Sequence, residues 1–599
     1  MEPDATVSAA ADGTQAATVN GWGAVIAGDE FSYTGAPDPN KWTVYNGVGH
    51  NGNGVRSPQA WNVADGVATV SGDASGTTGG MLANFGQQQY GRWETRMRTS
   101  VRDPKYHPVV SLWPNNSVSP NCAEVDYGEG VWDTTVMKFH LHWACDRSTD
   151  FQTTSTQTID STQWHNYAVE WTPAGVTGYL DGVKWFSDTD PAHNPSVGMH
   201  QTLQLDWFPD GSATIPSQMQ VDWVRVYAEP GTMIPMPPTR FLDTRTSGAV
   251  GPDSTTSFQV AGANGIPPNV SAVVFNLTVA EAKSYGFITA YASGTGRPNA
   301  SNLNFSAGQV LANLVIVPVG ADGRVNLYNR SPGATQLVAD VSGYYLGGPP
   351  GSPGAFRAVG PSRFLDTRNS GPVPPDSSVT FPVAGVNGLP ANVSAVVFNM
   401  TVADARSFGF ITAYASGTVR PDASNINFNT GQIVPNLVTV PVGADGKVSL
   451  YNRSSGFTQL IADVSGYYLG GTANLPGAFR SMAPQRFLDT RTGSPVAADS
   501  SVSFRVAGVN GIPAGVSAVV FNLTVAEPKS YGFITAYASG SPLPNASNLN
   551  FAAGQIVPNL VIVPVGPDGK VSLYNWSAGS SQLIADVSGY YLPGATGSS

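Results

Sequence analysis

Residues 124–129 read Glu124-Val125-Asp126-Tyr127-Gly128-Glu129. Three carboxylates fall within six positions of a chain in which only 12% of residues are charged. Alternate residues of a β-strand point to the same face, so Glu124 and Asp126 share one. Glu129 lies five positions after Glu124 and in a regular strand would point the other way. One inserted residue, a β-bulge, returns it to the shared face, and Gly128 is the residue type that tolerates a bulge. The outer two carboxyls then form a possible acid and nucleophile pair. Retaining glycoside hydrolysis needs two carboxyls roughly 5–5.5 Å apart, a separation that same-face strand positions can supply. The plainer alternative is an acidic, solvated strand edge.

The flanks speak for catalysis. Asp29-Glu30-Phe31, Tyr90-Gly91-Arg92-Trp93-Glu94, Ser111-Leu112-Trp113-Pro114, Leu141-His142-Trp143, Trp164 to Trp171, Leu180-Asp181-Gly182 and Val221 to Tyr227 occur in this order around the carboxylate run. Over roughly residues 28–229 the chain resembles glycoside hydrolase family 16, the β-jelly-roll endo-hydrolases that include laminarinases and β-glucanases. The six-residue E-x-D-x-x-E form resembles the bulged, laminarinase-type branch. The resemblance implies Glu124 as nucleophile, Glu129 as general acid/base, and Asp126 between them steering protonation. It also implies that Trp113 and His142 line the substrate cleft, with Trp143, Trp207 and Trp132 as further stacking candidates. Gln204 falls where the family often has an Asn on a cleft strand. Asp222 matches a position that binds a structural Ca²⁺ in some members. No cofactor is required for the implied catalysis. His140 and His142 are two apart and could share a strand face, but no H-x-x-H or H-E-x-x-H pattern points to zinc.

Composition sets the wider frame. The chain has 599 residues, with Gly 67 and Pro 46 and 10% aromatics. It carries no long amphipathic helical pattern, which predicts an all-β, turn-rich fold divided into several domains. The net charge of −11 and the absence of any Lys/Arg run argue against nucleic acid or an anionic membrane surface as partner. No apolar run approaches a membrane span. A neutral polysaccharide suits the composition, and the family resemblance favours a β-glucan. Residues 1–20 are small and polar and are expected to be disordered. They lack the basic and apolar regions of a signal peptide, so secretion to the extracellular space is an expectation drawn from substrate size and low charge. The expected state is a monomer with mobile linkers.

Cys122 and Cys145 are the only cysteines. A hairpin turning near residues 131–135 would bring them together, which favours a disulfide over two buried thiols. Pairing them in regular register would put Trp143, not His142, opposite Glu124.

A triplicate fills the rest of the chain. Arg240-Phe241-Leu242-Asp243-Thr244-Arg245 returns at 363–368 and 486–491, and Asp340-Val341-Ser342-Gly343-Tyr344-Tyr345-Leu346 returns at 463–469 and 586–592. A period this long means whole domains rather than a solenoid. The expected organisation is a jelly-roll sandwich over 21–229, then three β-sandwich-like repeats over 238–346, 361–469 and 484–592, joined by Pro/Gly-rich linkers. Eight strands are predicted in the first repeat, over residues 240–244, 256–261, 271–279, 287–292, 301–305, 312–319, 324–328 and 336–345. The repeats resemble Leu-Asp-Thr-Arg repeat domains of secreted actinobacterial proteins, a likeness that assigns no activity. Each carries an amide-rich segment (residues 299–305, 422–428 and 545–551) and an aromatic-Gly-Phe step (Tyr285, Phe408 and Tyr531 before Gly). Amides and rings suit sugar recognition; equally, Asn and Ser mark turns and rings fill cores. The Asp/Arg pair of the motif reads as structural.

The sequence departs from the laminarinase pattern upstream. Val44 to Gly54 stands where a Gly-Trp-Gly-Asn-x-Glu segment is usual, and Tyr127-Gly128 occupies the bulge where aliphatic-Met is common. Both changes bear on linkage preference rather than on reaction type. The expectation is therefore a secreted, retaining endo-β-glycanase, an endo-β-1,3-glucanase, with repeats that bind carbohydrate. Its alternatives are the same machinery on a galactan, a mixed-linkage glucan or another wall polysaccharide, with the repeats as spacer or stalk, and a non-catalytic lectin.

Overall fold

The computed structural model describes residues 13–22, 25–115, 124–143, 151–172, 174–227, 229–348, 350–473 and 475–592. The chain divides into two compact units, Met1–Glu229 and Pro230–Ser599. Strands dominate both.

The first unit is a two-sheet sandwich. One sheet contains β1 (Trp42–Val44), β2 (Gly80–Ala83), β3 (Tyr106–Pro114), β4 (Glu124–Gly130), β5 (Val136–His142), β6 (Gln152–Thr158) and β7 (Met199–Trp207). Its spatial order is β6-β5-β4-β3-β7-β2-β1. The other sheet runs from Val183–Asp188 through Gly91–Thr99 and Ser217–Tyr227 to Trp61–Ala64. One core joins them. Val110, Leu112, Val125, Tyr127, Phe139 and Leu203 from the first sheet meet Trp93, Met97, Tyr167, Val169, Val221 and Val224 from the second. In the first sheet, alternation therefore sends the polar partners of these residues to the outer face.

The N-terminus departs from the expected disorder from residue 13 onward. Ala16–Val19 is a helical turn with Ala16 buried. Its first amides donate to the buried Glu94 carboxylate (Ala16 N to Oε1 2.5 Å, Ala17 N to Oε2 3.4 Å). Trp22 packs edge-on against Tyr179 and Tyr227. Small, polar composition suggested no core, but Ala16 and Trp22 supply a local one. Cys122 and Cys145 lie outside the described residues.

In the second unit each repeat is a sandwich of two four-stranded sheets. The eight strands of the first repeat are Met233–Asp243, Ser254–Gln259, Val270–Ala280, Gly286–Ala292, Leu303–Phe305, Leu311–Pro318, Arg324–Arg330 and Gln336–Leu346. The opening strand starts at Met233, not after the Pro-rich stretch; its counterparts start at Phe356 and Phe479. Prolines are tolerated there because this strand is at the sheet edge.

The repeats are not beads on mobile linkers. They close around a pseudo-threefold axis. Ala272, Val274 and Tyr345 of the first repeat form one core with Ala395, Val397 and Tyr468 of the second and Ala518, Val520 and Tyr591 of the third. On the axis the three tyrosine hydroxyls form a triangle with every side 2.6 Å. The Gly-rich joints are part of the lock. Phe356 N donates to Gly231 O (2.7 Å), Phe479 N to Gly354 O (2.9 Å), and Met233 N to Gly477 O (3.0 Å), which closes the ring. Gly231, Gly354 and Gly477 have φ of 75°, 78° and 72°, a region where a side chain would be strained.

The amide-rich segments are absorbed by these joints. Asn276, Asn399 and Asn522 donate to the carbonyls of Ser547, Ser301 and Ser424 in neighbouring repeats. Asn302, Asn425 and Asn548 are buried and accept from amides of their own repeats. The motif arginines are ion-paired: Arg240 to Asp340 at 2.6 Å, Arg363 to Asp463 at 2.8 Å, and Arg486 to Asp586 at 2.9 Å. Each also donates to a backbone carbonyl of another repeat.

Candidate active site

The carboxylate run occupies β4, at the middle of its sheet. Val125 and Tyr127 enter the core, and Glu124 and Asp126 therefore face outward. Against β3, Ser111 pairs with Asp126 and Val110 with Gly128, leaving Tyr127 as the extra residue. Against β5 the register slips between Asp126 and Glu129. This bulge returns Glu129 to the face of the other two carboxyls. Gly128 is required by space: a Cβ there would come 2.7 Å from Val110 Cγ2 and 2.8 Å from Tyr167 Cδ1. Tyr127 is held from below by hydrogen bonds with Thr95 (2.8 Å) and Gln201.

Two histidines on β5 complete the cluster. His142 pairs with Glu124 in register, and its Nε2 lies 3.2 Å from Asp126 Oδ2. His140 Nε2 lies 3.3 Å from Glu129 Oε2, and its Nδ1 is 3.0 Å from Thr154 Oγ1. A carboxyl oxygen of Glu124, one of Asp126 and a ring nitrogen of His142 lie within 4.8 Å of one another. The observed register opposes Glu124 to His142 rather than to Trp143.

Electrostatics follows from burial and crowding. Burial, and then the charge of Asp126, push Glu129 up to about 8, with His142 opposing. Burial and the charges of Asp126 and Glu129 also drive Glu124 upward, again against His142. Carboxyls this close cannot all ionise together, and they titrate as a group that holds a proton near neutral pH. Burial lowers His140, which keeps its imidazole neutral under the same conditions.

Trp113 shares the outer face with Ser111 on β3, and Ser111 pairs with Asp126. Gln204 on β7 pairs with Val109, whose other partner is Glu129. Trp143 and Trp207 are not brought to this face. Both fall on the opposite parity and pack against the core. Trp143 stacks on His193 with ring centroids 3.9 Å apart, and the Trp207 ring lies against Gly76 and Gly54. Trp132 is half-exposed in the β4–β5 turn, edge-on to His107.

Sequence reasoning missed Asp206, two residues beyond Gln204 and on the same face of β7. Arg56 lies 2.6 Å from its Oδ1 and His50 3.4 Å from its Oδ2. Burial alone would raise the Asp206 carboxyl, but the His50 hydrogen bond and the Arg56 charge hold it below the usual range. Its negative charge in turn helps keep Glu129 protonated. The period-two spacing from Gln204 was the available signal. The divergent Val44–Gly54 segment, with Arg56 just beyond it, thus supplies His50 to this face, and Arg56 lies over the Tyr45 ring.

Asp222, the residue matched to a structural Ca²⁺ position, is ion-paired on the second sheet, with Glu30 also acting on it. It sits at a bulge opposite Arg96, 3.4 Å from its guanidinium, with Arg225 and Arg98 also acting on it.

No curated protein matches the chain. Among solved structures, it is similar to the laminarinase from Rhodothermus marinus, with 22% identity, a TM-score of 0.30, and coverage of 34% of this chain and 97% of that one. The catalytic domain of an endo-1,3-beta-glucanase (laminarinase) from Thermotoga petrophila RKU-1 shows 20% identity, a TM-score of 0.30, and coverage of 34% and 97%. A non-specific endo-beta-1,3(4)-glucanase, SCLam, shows 21% identity, a TM-score of 0.31, and coverage of 34% and 90%. Residues 51–225, which hold every carboxylate of the site, match the family described as Glycosyl hydrolases family 16, and the match supports a glycoside hydrolase.

Proposed function

We propose that the first unit is a retaining endo-β-glycanase acting on a neutral polysaccharide, specifically an endo-β-1,3-glucanase, secreted to meet a polymeric substrate. The observation that carries this reading is the β4 bulge, which gathers Glu124, Asp126 and Glu129 on one face. In its ionised state Glu124 attacks the anomeric carbon. Glu129 donates its proton to the departing glycosidic oxygen, leaving a covalent glycosyl-enzyme. Glu129, now a carboxylate, takes a proton from the incoming water, which releases the sugar with its β configuration retained. Asp126, hydrogen-bonded to Glu124, holds that carboxyl in place and adds to the crowding that keeps a proton within the trio. His140 steadies Glu129, and His142 offsets the crowded charge.

The second unit is proposed to hold the enzyme on its polymer as a carbohydrate-binding module. A second substrate reading, a galactan, a mixed-linkage glucan or another wall polysaccharide, is favoured by the His50–Arg56–Asp206 network, because it stands where the segment differs from the laminarinase pattern. Product analysis on laminarin, curdlan, mixed-linkage β-glucan and galactan, with wild type beside Glu124→Gln, separates the readings. Oligosaccharides from laminarin or curdlan in wild type alone support the β-1,3-glucanase. Products from another polymer alone keep the mechanism and change the substrate. No product from any of them removes the enzymatic reading for these substrates.

A further inference from the structure

The three repeats each place an aromatic ring at the same exposed position. Tyr285 is 72% exposed, Phe408 76% and Tyr531 75%. A large ring left three-quarters in water three times over does nothing for the core, and exposed apolar surface of this kind marks binding. Grooves lie at the first two of these positions, and Tyr531, Phe533 and Trp576 of the third line neither. One of about 920 Å³ is lined by Tyr285, Phe287 and Arg330 of the first repeat together with Gln432 of the second and Gln555 of the third. Another of about 590 Å³ is lined by Phe408, Phe410 and Arg453 with the same two glutamines. The grooves share Asn427, Gln432, Gln555 and Ile556, so they form one continuous face. Val310, Ile433 and Ile556, at equivalent positions of the three repeats, are half-exposed there or beside it.

The corners are not chemically equal. In the first two, an arginine beside the aromatic step is neutralised by an aspartate: Arg330 to Asp253 at 2.5 Å and Arg453 to Asp376 at 2.6 Å. In the third, Trp576 takes the arginine's place. It stacks on Phe533 with centroids 4.9 Å apart and planes 11° from parallel, and it remains 48% exposed. One indole face is therefore covered and the other is offered to solvent.

We propose that the second unit binds a neutral polysaccharide chain along the grooves of its first two corners, and that Trp576, backed by Phe533 at the equivalent position of the third repeat, is its principal stacking subsite. The occupant follows from the lining. The lining arginines are paired with aspartates, so no net charge selects an ionic ligand. Flat rings suit the apolar faces of pyranoses, and glutamine and asparagine amides both donate to and accept from hydroxyls. Three corners on one rigid unit let modest contacts add through effective concentration. The proposal rests on the carbohydrate-binding reading of this unit and gives that reading a location.

The test uses the full chain carrying Glu124→Gln, so that polymer is not consumed, and measures depletion on insoluble curdlan, cellulose and xylan. On whichever polymer retains the protein, Trp576→Ala and Tyr531→Ala should each weaken binding roughly fivefold or more, the scale of one lost ring contact. Arg453→Trp, which installs the third corner's chemistry in the second, should strengthen it. Retention that is unchanged in all three variants, or no retention on any polymer, overturns the proposal. So does a dimer that Trp576→Ala converts to monomer in sedimentation, since the face would then be a self-association surface. Hydrolysis of laminarin by wild type with unchanged retention of the variants would sink this inference alone; Trp576-dependent retention without any hydrolysis would sink the enzymatic reading alone.

Discussion

The tyrosine triangle makes a quantitative prediction about how the repeats are held. Tyr345, Tyr468 and Tyr591 are fully buried, and each hydroxyl is 2.6 Å from both others. Three hydroxyls in a ring can each donate once and accept once, so the cycle satisfies itself. Tyr468→Phe breaks two of its three bonds and leaves one remaining hydroxyl hydrogen without an acceptor. Two lost bonds at about 1 kcal/mol each, plus a buried orphan donor, predict about 2–3 kcal/mol of destabilisation. Simple addition over three corners would give about 6–9 kcal/mol. The triple Tyr→Phe variant should instead cost no more than the single, because replacing every partner leaves nothing unsatisfied. Scanning calorimetry on the full chain checks this. Trp576 is the only tryptophan after residue 230, so intrinsic fluorescence follows the first unit and identifies the other transition as the second. For a unit of this size each kcal/mol shifts Tm by about 1–2 °C, so the single variant should lose a few degrees and the triple variant no more. A triple loss equal to three single losses, or a single variant without effect, would refute the closed cycle.

Four other outcomes follow from the structure. Glu129 must be protonated to act as acid, so kcat/KM on a soluble glucan should fall as pH rises through about 8; a rate that keeps climbing to pH 9 would remove Glu129 from that role. Asp206→Asn removes a charge that raises Glu129, so the alkaline limb of the same profile should move to lower pH, whereas a purely structural role would lower activity without moving it. Burial pushes Glu94 up to about 7 against the hydrogen bonds from Ala16, Ala17 and Tyr227. Its folded value thus exceeds its unfolded one, so its contribution is fully present near pH 4 and is lost as pH rises through 7, by about 3 kcal/mol at most; Tm of the first unit should drop between pH 5 and 8 by more in wild type than in Glu94→Gln. Gly466→Ala would set a Cβ 2.1 Å from Phe356 Cζ at a joint between repeats, and should destabilise the second unit by about 1–3 kcal/mol in calorimetry.

The catalytic face was legible because strand periodicity is a short-range rule. Two positions of alternation and one glycine sufficed to put three carboxyls together, and the bulge lies at Tyr127-Gly128. The same rule explains the tryptophans. Trp143 follows His142 and Trp207 follows Asp206, so parity alone sends both inward; reading them as cleft residues weighed aromatic character above alternation. The eight strands of each repeat were legible in the same way. Their assembly was not, because closure around an axis is a long-range property that no local pattern encodes. One clue stood in the sequence nonetheless. Val273-Val274-Phe275 does not alternate, and a strand that is apolar on both sides needs cover on both sides. In the equivalent strand of the second repeat, Val396 and Phe398 fill that repeat's own core while Val397 enters the shared axial core.

The pattern of identity among the repeats now has a physical reading. Many positions that touch another repeat are the same in all three copies: the axial tyrosines, the Asn313, Asn436 and Asn559 amides that bond across the joints, and the three left-handed glycines; the exceptions include Met233 against Phe356 and Phe479, and Thr439 against Ile316 and Ile562. A closed ring demands this, since each joint must fit the next and the last must fit the first. A change at one joint is felt by two repeats. The tips carry no such constraint, and there Arg330, Arg453 and Trp576 differ. A symmetric scaffold with unequal corners is compatible with the proposed polymer-binding face, because a sugar chain crossing it has no threefold symmetry to match. The ring confers rigidity on all three corners at once, and side-chain choice at the tips can then vary without endangering the fold.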